Sequence, residues 1–476
     1  MKAHRAAPPV AGASKLSLLS LPSGIFLKII QHLEDAKSVF FLLDARGSDT
    51  RGPLEQHLWL LSQAVPHAAL WPVLHLDTKH WTRLQSLSLL EHVEATMHLF
   101  GHIVVDESTD VTWLHHHRVV HTTFTWTDVP QPNDTTTTDI QRWYFDWATS
   151  FRVTQLAVWP GDDEKMPAFL AVLPHLDSLT HLDMCVHVMP LLTPLFEWLP
   201  TSSVVDFKVM GTSDFYGVES HLTTHMVNCL RMWVETRPAR HLTLHCCSWQ
   251  DKNSAIIQAS LHEMLHCPTM ESLDLHGFDL PTSAWSMPPT FPPSLTSLAM
   301  DNCRGLSSSR LIEMAAALVG SNVARLSLHG TEDDDDDDAY EDGMLVLLET
   351  LPRTNVTTLD LSNRFKLVTK LVQVGSSLAA HHRLETLVLK SFRLTDTFAI
   401  ELALALQYHP SLRHLHVDYM GEMSAQGLRA VMAIPNLQTL HVRLRSSGSM
   451  TRIEAEKTLV ESLAQEVGVE LELTRW

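Results

Sequence analysis

The chain has 476 residues, of which 45% are hydrophobic, so it can bury a large core and is not a mostly disordered or fibrous protein. Its 54 acidic and 35 basic residues give a formal net charge of −19, which disfavours nucleic acid and anionic membranes as partners. The six cysteines form no C-x-x-C pair, a usage typical of reduced thiols in a cytosolic or nuclear protein. No run of about 18 apolar residues is present, so no membrane span is expected.

A short helical pattern is the first predicted element. After Leu21 and Pro22, apolar residues recur at helical spacing at Ile25, Ile29 and Leu33. Pro22 suits the first turn of a helix, because the backbone N–H that proline lacks is not needed there. The spacing therefore predicts a helix that begins near Pro22.

This stretch resembles an F-box, a short helical module that docks on the Skp adaptor of cullin-type ubiquitin ligases. The resemblance implies that the five side chains just named form the adaptor-binding face. The second half departs from the family pattern, because Ala-Arg-Gly-Ser at 45–48 stands where an F-box usually carries a Cys-Arg-x-x-Trp-like stretch. The alternative interpretation is that these helices only cap the repeats that follow.

A repeated motif occupies most of the remaining chain. Eleven segments read apolar-x-x-apolar-x-apolar, at intervals that average about 28 residues. In the best-formed units a strand with period-2 alternation precedes a turn and a helix with one apolar face. The motifs begin at Val153, Leu179, Val204, Ala239, Met270, Leu295, Val323, Val356, Leu384, Leu412 and Leu437.

These units resemble the ribonuclease-inhibitor-like class of leucine-rich repeats. The resemblance implies an α/β solenoid, a horseshoe with parallel strands on its concave side and helices on its convex side. The end of the chain reads as a charged helix and a final strand, Val469–Leu473, which would cap the array. LQSLSL at Leu84 and HTTFTW near Val120 are candidates for further strands. Four segments are therefore predicted: a flexible tail at 1–15, F-box-like helices at 16–50, a linker with degenerate repeats at 51–150, and the repeat domain with its cap at 151–476.

Three motifs are candidates for a catalytic, metal-binding or partner-binding site. His262-Glu263-Met264-Leu265-His266 matches the H-E-x-x-H signature of zinc proteases, but it falls on the outer helix of a repeat, where no cleft excludes water. It is therefore interpreted as a coincidence, and the His run at 115–117 as a solvated loop. The acidic run at 332–342 is interpreted as a solvated loop, with the docking of a basic tail as the alternative. No enzyme, metal or cofactor is expected.

Histidine is concentrated at particular motif positions. The third, fifth and seventh residues of each motif alternate with buried ones and should point together into the concavity. A face rich in imidazoles would change its charge near pH 6.5, whereas the plainer interpretation is solvent-facing positions in a His-rich chain. The candidate partner-binding residues are His181, Asp183, His241, His245, Asp274, His276, Arg325, His329, Asp360, Lys390, His414, His416, Asp418, His441 and Arg443, and Asp206, Lys208 and Asp301 share their face.

The sequence thus predicts a protein that binds other proteins. By resemblance it is a substrate-recognition adaptor of a cullin-type ubiquitin ligase, with a Skp-type adaptor at the N-terminal helices and an unknown protein substrate on the concave face. The alternative is a stand-alone leucine-rich-repeat scaffold whose N-terminal helices only cap the solenoid.

Overall fold

The structure, a computed structural model, divides into two compact units. The first unit ends at Val158 and includes His175–Leu179, whereas the second takes Trp159–Pro174 and continues from Thr180. The described residues are 21–117, 120–132, 137–159, 164–187, 189–211, 221–245, 247–251, 254–278, 280–281, 287–303, 305–328, 338–362, 371–389, 395–419, 424–444 and 450–475.

In the first unit, the described residues form short parallel strands with helices before and between them. The strands pair in chain order, with Leu74 opposite Ile103, Ile103 opposite Phe124, and Phe124 opposite Val153. The strands are β1 Leu74–Leu76, β2 His102–Val105, β3 Thr123–Trp126 and β4 Arg152–Val158. The helices are α1 Ser23–Ile30, α2 Ala36–Arg46, α3 Pro53–Ala64, α4 His67–Leu70, α5 Thr78–Ser86, α6 Leu90–Thr96, α7 Val111–His117 and α8 Thr137–Ser150, with a 3-10 turn at Met97–Leu99.

The second unit repeats a strand followed by a helix. Its strands pair in parallel in the order β5, β6, β8, β10 and then consecutively to β17, while β7 and β9 form a separate pair. The strands are β5 His181–Val186, β6 Asp206–Gly211, β7 His221–Leu222, β8 His241–His245, β9 Ser248–Trp249, β10 Ser272–His276, β11 Ser297–Asp301, β12 Arg325–Ser327, β13 Thr358–Asp360, β14 Thr386–Leu389, β15 His414–Tyr419, β16 Thr439–Leu444 and β17 Glu470–Arg475.

Helices follow most of these strands, and successive helices pack against one another. Several begin at a residue whose side-chain oxygen accepts a hydrogen bond from the first turn, such as Thr223, Ser254, Thr395 and Ser424. The helices after β4 are α9 Met166–Leu170, α10 Thr193–Trp198, α11 Thr224–Thr236, α12 Ala255–His266, α13 Ser308–Leu318, α14 Asp338–Thr350, α15 Leu371–Ala380, α16 Asp396–Leu406, α17 Ala425–Met432 and α18 Met450–Val467, with 3-10 turns at Leu173–His175, Met189–Leu192, Leu199–Thr201 and Leu351–Arg353.

A ladder of leucines runs through the core of the second unit. Equivalent leucines of successive strands lie directly opposite one another in register, and each is at most 1% exposed. Burial of one such side chain stabilises the fold by roughly 1.5–3 kcal/mol, and the ladder therefore fixes the register of the sheet. Its members are Leu242, Leu273, Leu298, Leu326, Leu359, Leu387, Leu415 and Leu440.

The structure confirms the repeat prediction and corrects three details. The His run at 115–117 is not a loop, because it forms the last turn of the helix α7. Each of the eleven motifs contains a strand, the predicted final strand is β17, and the pattern fits a leucine-rich-repeat array. HTTFTW contains β3 as predicted, but Leu84 lies in the helix α5, because its buried partner Trp81 is three residues away and both face the core. The acidic run is also not entirely a loop, since the helix α14 begins at Asp338. Residues 329–337 of this region lie outside the described residues.

Candidate partner-binding face

One side of the second unit's sheet carries partly exposed polar side chains. They occupy the third, fifth and seventh motif positions, from His181 on β5 to Glu472 on β17, and alternate with the buried leucines. We call this surface the polar face.

The third motif position places a carboxylate between two imidazoles. Because β5, β6 and β8 are neighbours, His181, Asp206 and His241 lie side by side. His241 Nδ1 is 2.6 Å from Asp206 Oδ1, and His181 Nε2 is within hydrogen-bond distance of Asp206 Oδ2. The hydroxyl of Thr180 lies 2.8 Å from His181 Nδ1. Because a carboxylate only accepts, the ring nitrogen of each histidine that faces Asp206 donates an N–H to it.

This row is accessible to a partner at its two ends. The side chains of His181 and His241 are 44% and 43% exposed, whereas that of Asp206 is only 12% exposed. Beside His241, Arg240 makes a double hydrogen bond to Glu271, at 2.8 and 3.0 Å. This bond raises the pKa of Arg240 and lowers the pKa of Glu271, which holds both groups charged.

The fifth and seventh positions continue the same alternation of charge. Lys208 Nζ lies 2.8 Å from Asp183 Oδ2, and His245 Nε2 lies 2.9 Å from Asp274 Oδ2. The rings of His245 and His276 are 5.1 Å apart between centroids. Between β5 and β10 the polar face therefore alternates carboxylates with lysine and imidazole side chains and is not a patch of carboxylates alone.

A second histidine cluster lies on β15 and β16. His416 and His441 are opposite one another in register, and their rings stack at 4.9 Å with planes 14° apart. His441 Nδ1 lies 3.3 Å from Glu472 Oε2 on β17, and His414 lies on the same face of β15. The structure therefore brings His416 and His441 together, as the motif positions predict.

The remaining predicted face residues do not all join these clusters. Arg325 is exposed on β12, and Asp360 accepts hydrogen bonds from the backbone and hydroxyl of Ser362, so it closes its own turn. Asp418 and Arg443 are opposite one another in the backbone register of β15 and β16. His329 and Lys390 lie outside the described residues.

Arg240 and Glu271 are not among the residues predicted from the sequence. Both occupy the second motif position of successive repeats, one basic and one acidic, and such positions are neighbours across adjacent parallel strands. Opposite charges at equal positions of consecutive motifs were the signal that would have found them.

The N-terminal helix α1 has two apolar sides with different surroundings. Phe26 and Ile30 are fully buried, whereas Ile25 is 51% exposed. Of the other residues predicted to bind the adaptor, Pro22 is exposed, and the rest are half-buried, namely Leu21, Ile29 and Leu33.

A buried ion pair holds the helices behind α1. Arg46 Nε lies 3.0 Å from Glu55 Oε2, with side chains only 4% and 0% exposed. The Arg46 guanidinium also stacks over Phe26, 4.5 Å from the ring centroid. These contacts join α2 and α3 to the buried side of α1.

The H-E-x-x-H motif lies on α12 as predicted. His262 is exposed, and His266 Nδ1 is 2.7 Å from the backbone oxygen of His262, so one ring nitrogen is already engaged. Within the described parts of the chain, no three His, Cys, Asp or Glu side chains are arranged to hold a metal ion. The five cysteines in those parts are buried.

None of the described helices combines the length and the apolar character that a membrane crossing requires.

Comparisons with known proteins return distant similarities of structure. The chain matches the model of no known protein family and no curated protein. The leucine-rich-repeat protein LegL7 from Legionella pneumophila is 16% identical with a TM-score of 0.34, over 75% of this chain and 98% of that one. TLR13, solved with the RNA ssRNA13, is 16% identical with a TM-score of 0.33, over 69% of this chain and 46% of that one. A protein from Bacteroides fragilis is 12% identical with a TM-score of 0.29, over 69% and 66%. At these values none of the three bears on what this chain binds.

Proposed function

We propose that the protein is a substrate-recognition adaptor of a cullin-type ubiquitin ligase. In this proposal α1 binds a Skp-type adaptor, and the polar face binds the protein to be modified. The chain itself would carry no catalytic residue and no cofactor, and it would act in the cytosol or nucleus.

The observation that supports the proposal is the exposed side of α1. Pro22 and Ile25 leave apolar surface in contact with solvent, at positions where the resemblance to F-boxes expects adaptor contacts. The buried side of the same helix is held by Phe26 and Ile30, so exposure of Ile25 does not reflect a loosely packed helix.

The polar face supports the second half of the proposal. Its polar side chains pair across strands, as in Asp183 with Lys208 and Asp274 with His245, which presents a defined pattern of donors and acceptors. Such a pattern gives specificity toward a complementary protein surface and disfavours partners with the wrong charge arrangement.

The alternative, a scaffold whose N-terminal helices only cap the repeats, also has a specific observation in its favour. Trp71, just before β1, is 3% exposed and donates from Nε1 to the backbone oxygen of Leu33 at 2.6 Å. The loop after α1 is therefore fastened to the start of the first strand.

The binding of a purified Skp-type adaptor to the full chain tests the proposal. Ile25→Asp should weaken this binding by at least about tenfold, because it places a charge in an apolar contact. Leu87→Asp is the matched control, since Leu87 is also 51% exposed, lies in the same unit and is outside the proposed contact. It should leave the affinity unchanged.

Two results would support the scaffold alternative instead. One is failure of the wild-type chain to bind the adaptor, and the other is equal binding by wild type and Ile25→Asp. A chain that still captures a protein through the polar face, with capture reduced by Lys208→Ala together with His241→Ala, would then act without the ligase.

A further inference from the structure

The strand β17 has one open edge among the described residues. It pairs in parallel with β16, from Glu470 opposite Thr439 to Arg475 opposite Leu444, and with no other described strand. Its outer edge therefore presents backbone N–H and C=O groups that no neighbouring strand of the sheet engages.

An apolar groove accompanies this edge. Leu471 and Leu473 continue the rows of Leu440 and Val442, but those two side chains are fully buried, whereas the leucines of β17 are only half-buried. The groove has a volume of about 600 Å³ and lies between β17 and α18. It is lined by Lys457, Glu461, Ala464, Gln465, Val469, Leu471 and Leu473.

The surroundings of the groove are acidic. Glu470 and Glu472 are exposed and alternate with the two leucines along β17. Residues 450–476 contain six acidic and three basic side chains. Two of these carboxylates have polar neighbours, since Lys457 Nζ lies 3.6 Å from Glu461 Oε1 and His441 Nδ1 lies 3.3 Å from Glu472 Oε2. Along the open edge of β17, exposed glutamates therefore alternate with half-buried leucines.

We propose that this edge and groove bind an extended protein segment in which basic and apolar residues alternate. The segment would add to the sheet as a further strand, with its backbone paired to the outer edge of β17. Its apolar side chains enter the groove beside Leu471 and Leu473, and its Lys or Arg side chains lie beside Glu470 and Glu472.

A second copy of the chain fits this edge less well. Two β17 strands paired edge to edge, with their leucines on a common side, would bring the carboxylates of Glu470 and Glu472 close to those of the other copy. Like charges across a strand pair are destabilising, so the acidic pattern favours a basic partner.

Fluorescence anisotropy with the full chain tests the proposal. The probe is a labelled peptide, Lys-Val-Lys-Val-Lys-Val, with blocked ends. It should bind, and the same peptide with N-methyl groups on the edge-facing amides should bind at least about tenfold more weakly, because it cannot pair with a strand. Equal binding of the two peptides, or no binding of the first, would overturn the proposal.

Charge reversal locates the site. Glu470→Lys with Glu472→Lys should weaken the first peptide by about tenfold or more. The control, Glu349→Lys with Glu385→Lys, makes the same change of net charge at two exposed positions elsewhere in the unit and should have little effect. An equal loss in both variants would show that the peptide responds only to overall charge. Self-association of the wild-type chain that Leu471→Asp abolishes would identify a second copy as the occupant, which also contradicts the proposal.

Discussion

The strands β1 and β17 are both edge strands among the described residues, but their leucines are buried to different degrees. Leu74 and Leu76 of β1 are fully buried, whereas Leu471 and Leu473 of β17 are half-buried. Each strand belongs to its own unit, and each pairs with one described neighbour. The difference therefore comes from what lies beside each edge and not from the strand sequences, which are Leu-x-Leu in both cases.

Helices account for the burial of β1. The helices α4 and α5 contact β1, and α2 contacts α4, where Phe40 stacks on His67 at 4.3 Å between ring centroids. The helix α18 also contacts β17, but the two leave between them an open groove that Leu471 and Leu473 line. An array of repeats exposes apolar surface at its ends, so an end must be covered by another element or remain available for a partner.

The largest effect is expected from breaking the buried ion pair between Arg46 of α2 and Glu55 of α3. This pair bears on β1 because α2 packs against α4, which contacts β1. Glu55→Ala leaves Arg46 buried without its carboxylate, which should cost about 3–5 kcal/mol of unfolding free energy. Urea unfolding measures the change, and hydrogen exchange of β1 should become faster.

Two further variants decide how that result is interpreted. Arg46→Met with Glu55→Leu removes both charges and should restore most of the stability, since no buried charge is then unpaired. Glu34→Ala changes an exposed carboxylate in the same unit and should have almost no effect. A loss of less than about 1 kcal/mol in Glu55→Ala would show that the pair does not hold these helices together.

The second-largest effects should come from leucine substitutions that compare the edge strands β1 and β17 directly. Leu74→Ala should destabilise the protein by about 2–5 kcal/mol, because it removes a fully buried side chain and leaves a cavity, and Leu415→Ala in the interior of the sheet should cost as much. Leu471→Ala should cost less than about 1 kcal/mol, since its side chain is already half in solvent. Equal losses at Leu74 and Leu471 in denaturant titrations would contradict the difference between the ends.

The strands of the repeats could be predicted from the sequence because their signal is local. A Leu-x-x-Leu-x-Leu motif places alternate side chains on one side of a strand, and the fully buried Leu387, Leu389, Leu415 and Val417 follow from it. The strands β1 and β2 are not among the predicted elements, although Trp71-x-x-Leu74-x-Leu76 and Phe100-x-x-Ile103-x-Val105 have the same apolar spacing with an aromatic residue in the first position. The burial of the leucines in β1 and β17 also could not be predicted, because it depends on how closely the neighbouring helices pack against each strand.

The sequence predicts which residues lie on the polar face better than it predicts which of them pair with one another. Equal motif positions become neighbours in a parallel sheet, which is why His416 and His441 were expected together. The same rule of neighbouring motif positions applies to the second position, where Arg240 and Glu271 of successive repeats form their hydrogen bond. Side-chain length decides the rest, since arginine reaches a carboxylate on the next strand whereas a shorter side chain would not.

The smallest effect should be a loss of stability at acidic pH. It concerns two histidines that do not belong to the polar face. His381 and His409 lie in the turns before β14 and β15 and are 0% and 1% exposed. His409 Nε2 is 2.9 Å from the backbone oxygen of His381, and its Nδ1 accepts from the backbone N–H of Leu412 at 3.0 Å. Burial lowers the pKa of both imidazoles, so the folded state keeps them neutral.

The direction of the pH effect follows from that lowering. Above about pH 6.5 the unfolded chain also holds these histidines neutral, and their contribution to stability is intact. As the pH falls below that value, the unfolded chain takes up protons that the folded repeats exclude, and stability is lost until the folded pKa is passed. In the first unit, burial also lowers the pKa of His75 and His102, but these side chains are partly exposed. Hydrogen exchange at pH 5.5 and 7.5, corrected for intrinsic rates, should therefore lose more protection in β14 and β15 than in β1 and β2. His409→Asn, which keeps an acceptor near the position of Nδ1 and does not titrate, should reduce that loss in β14 and β15 alone, and an unchanged loss would exclude His409 as its source.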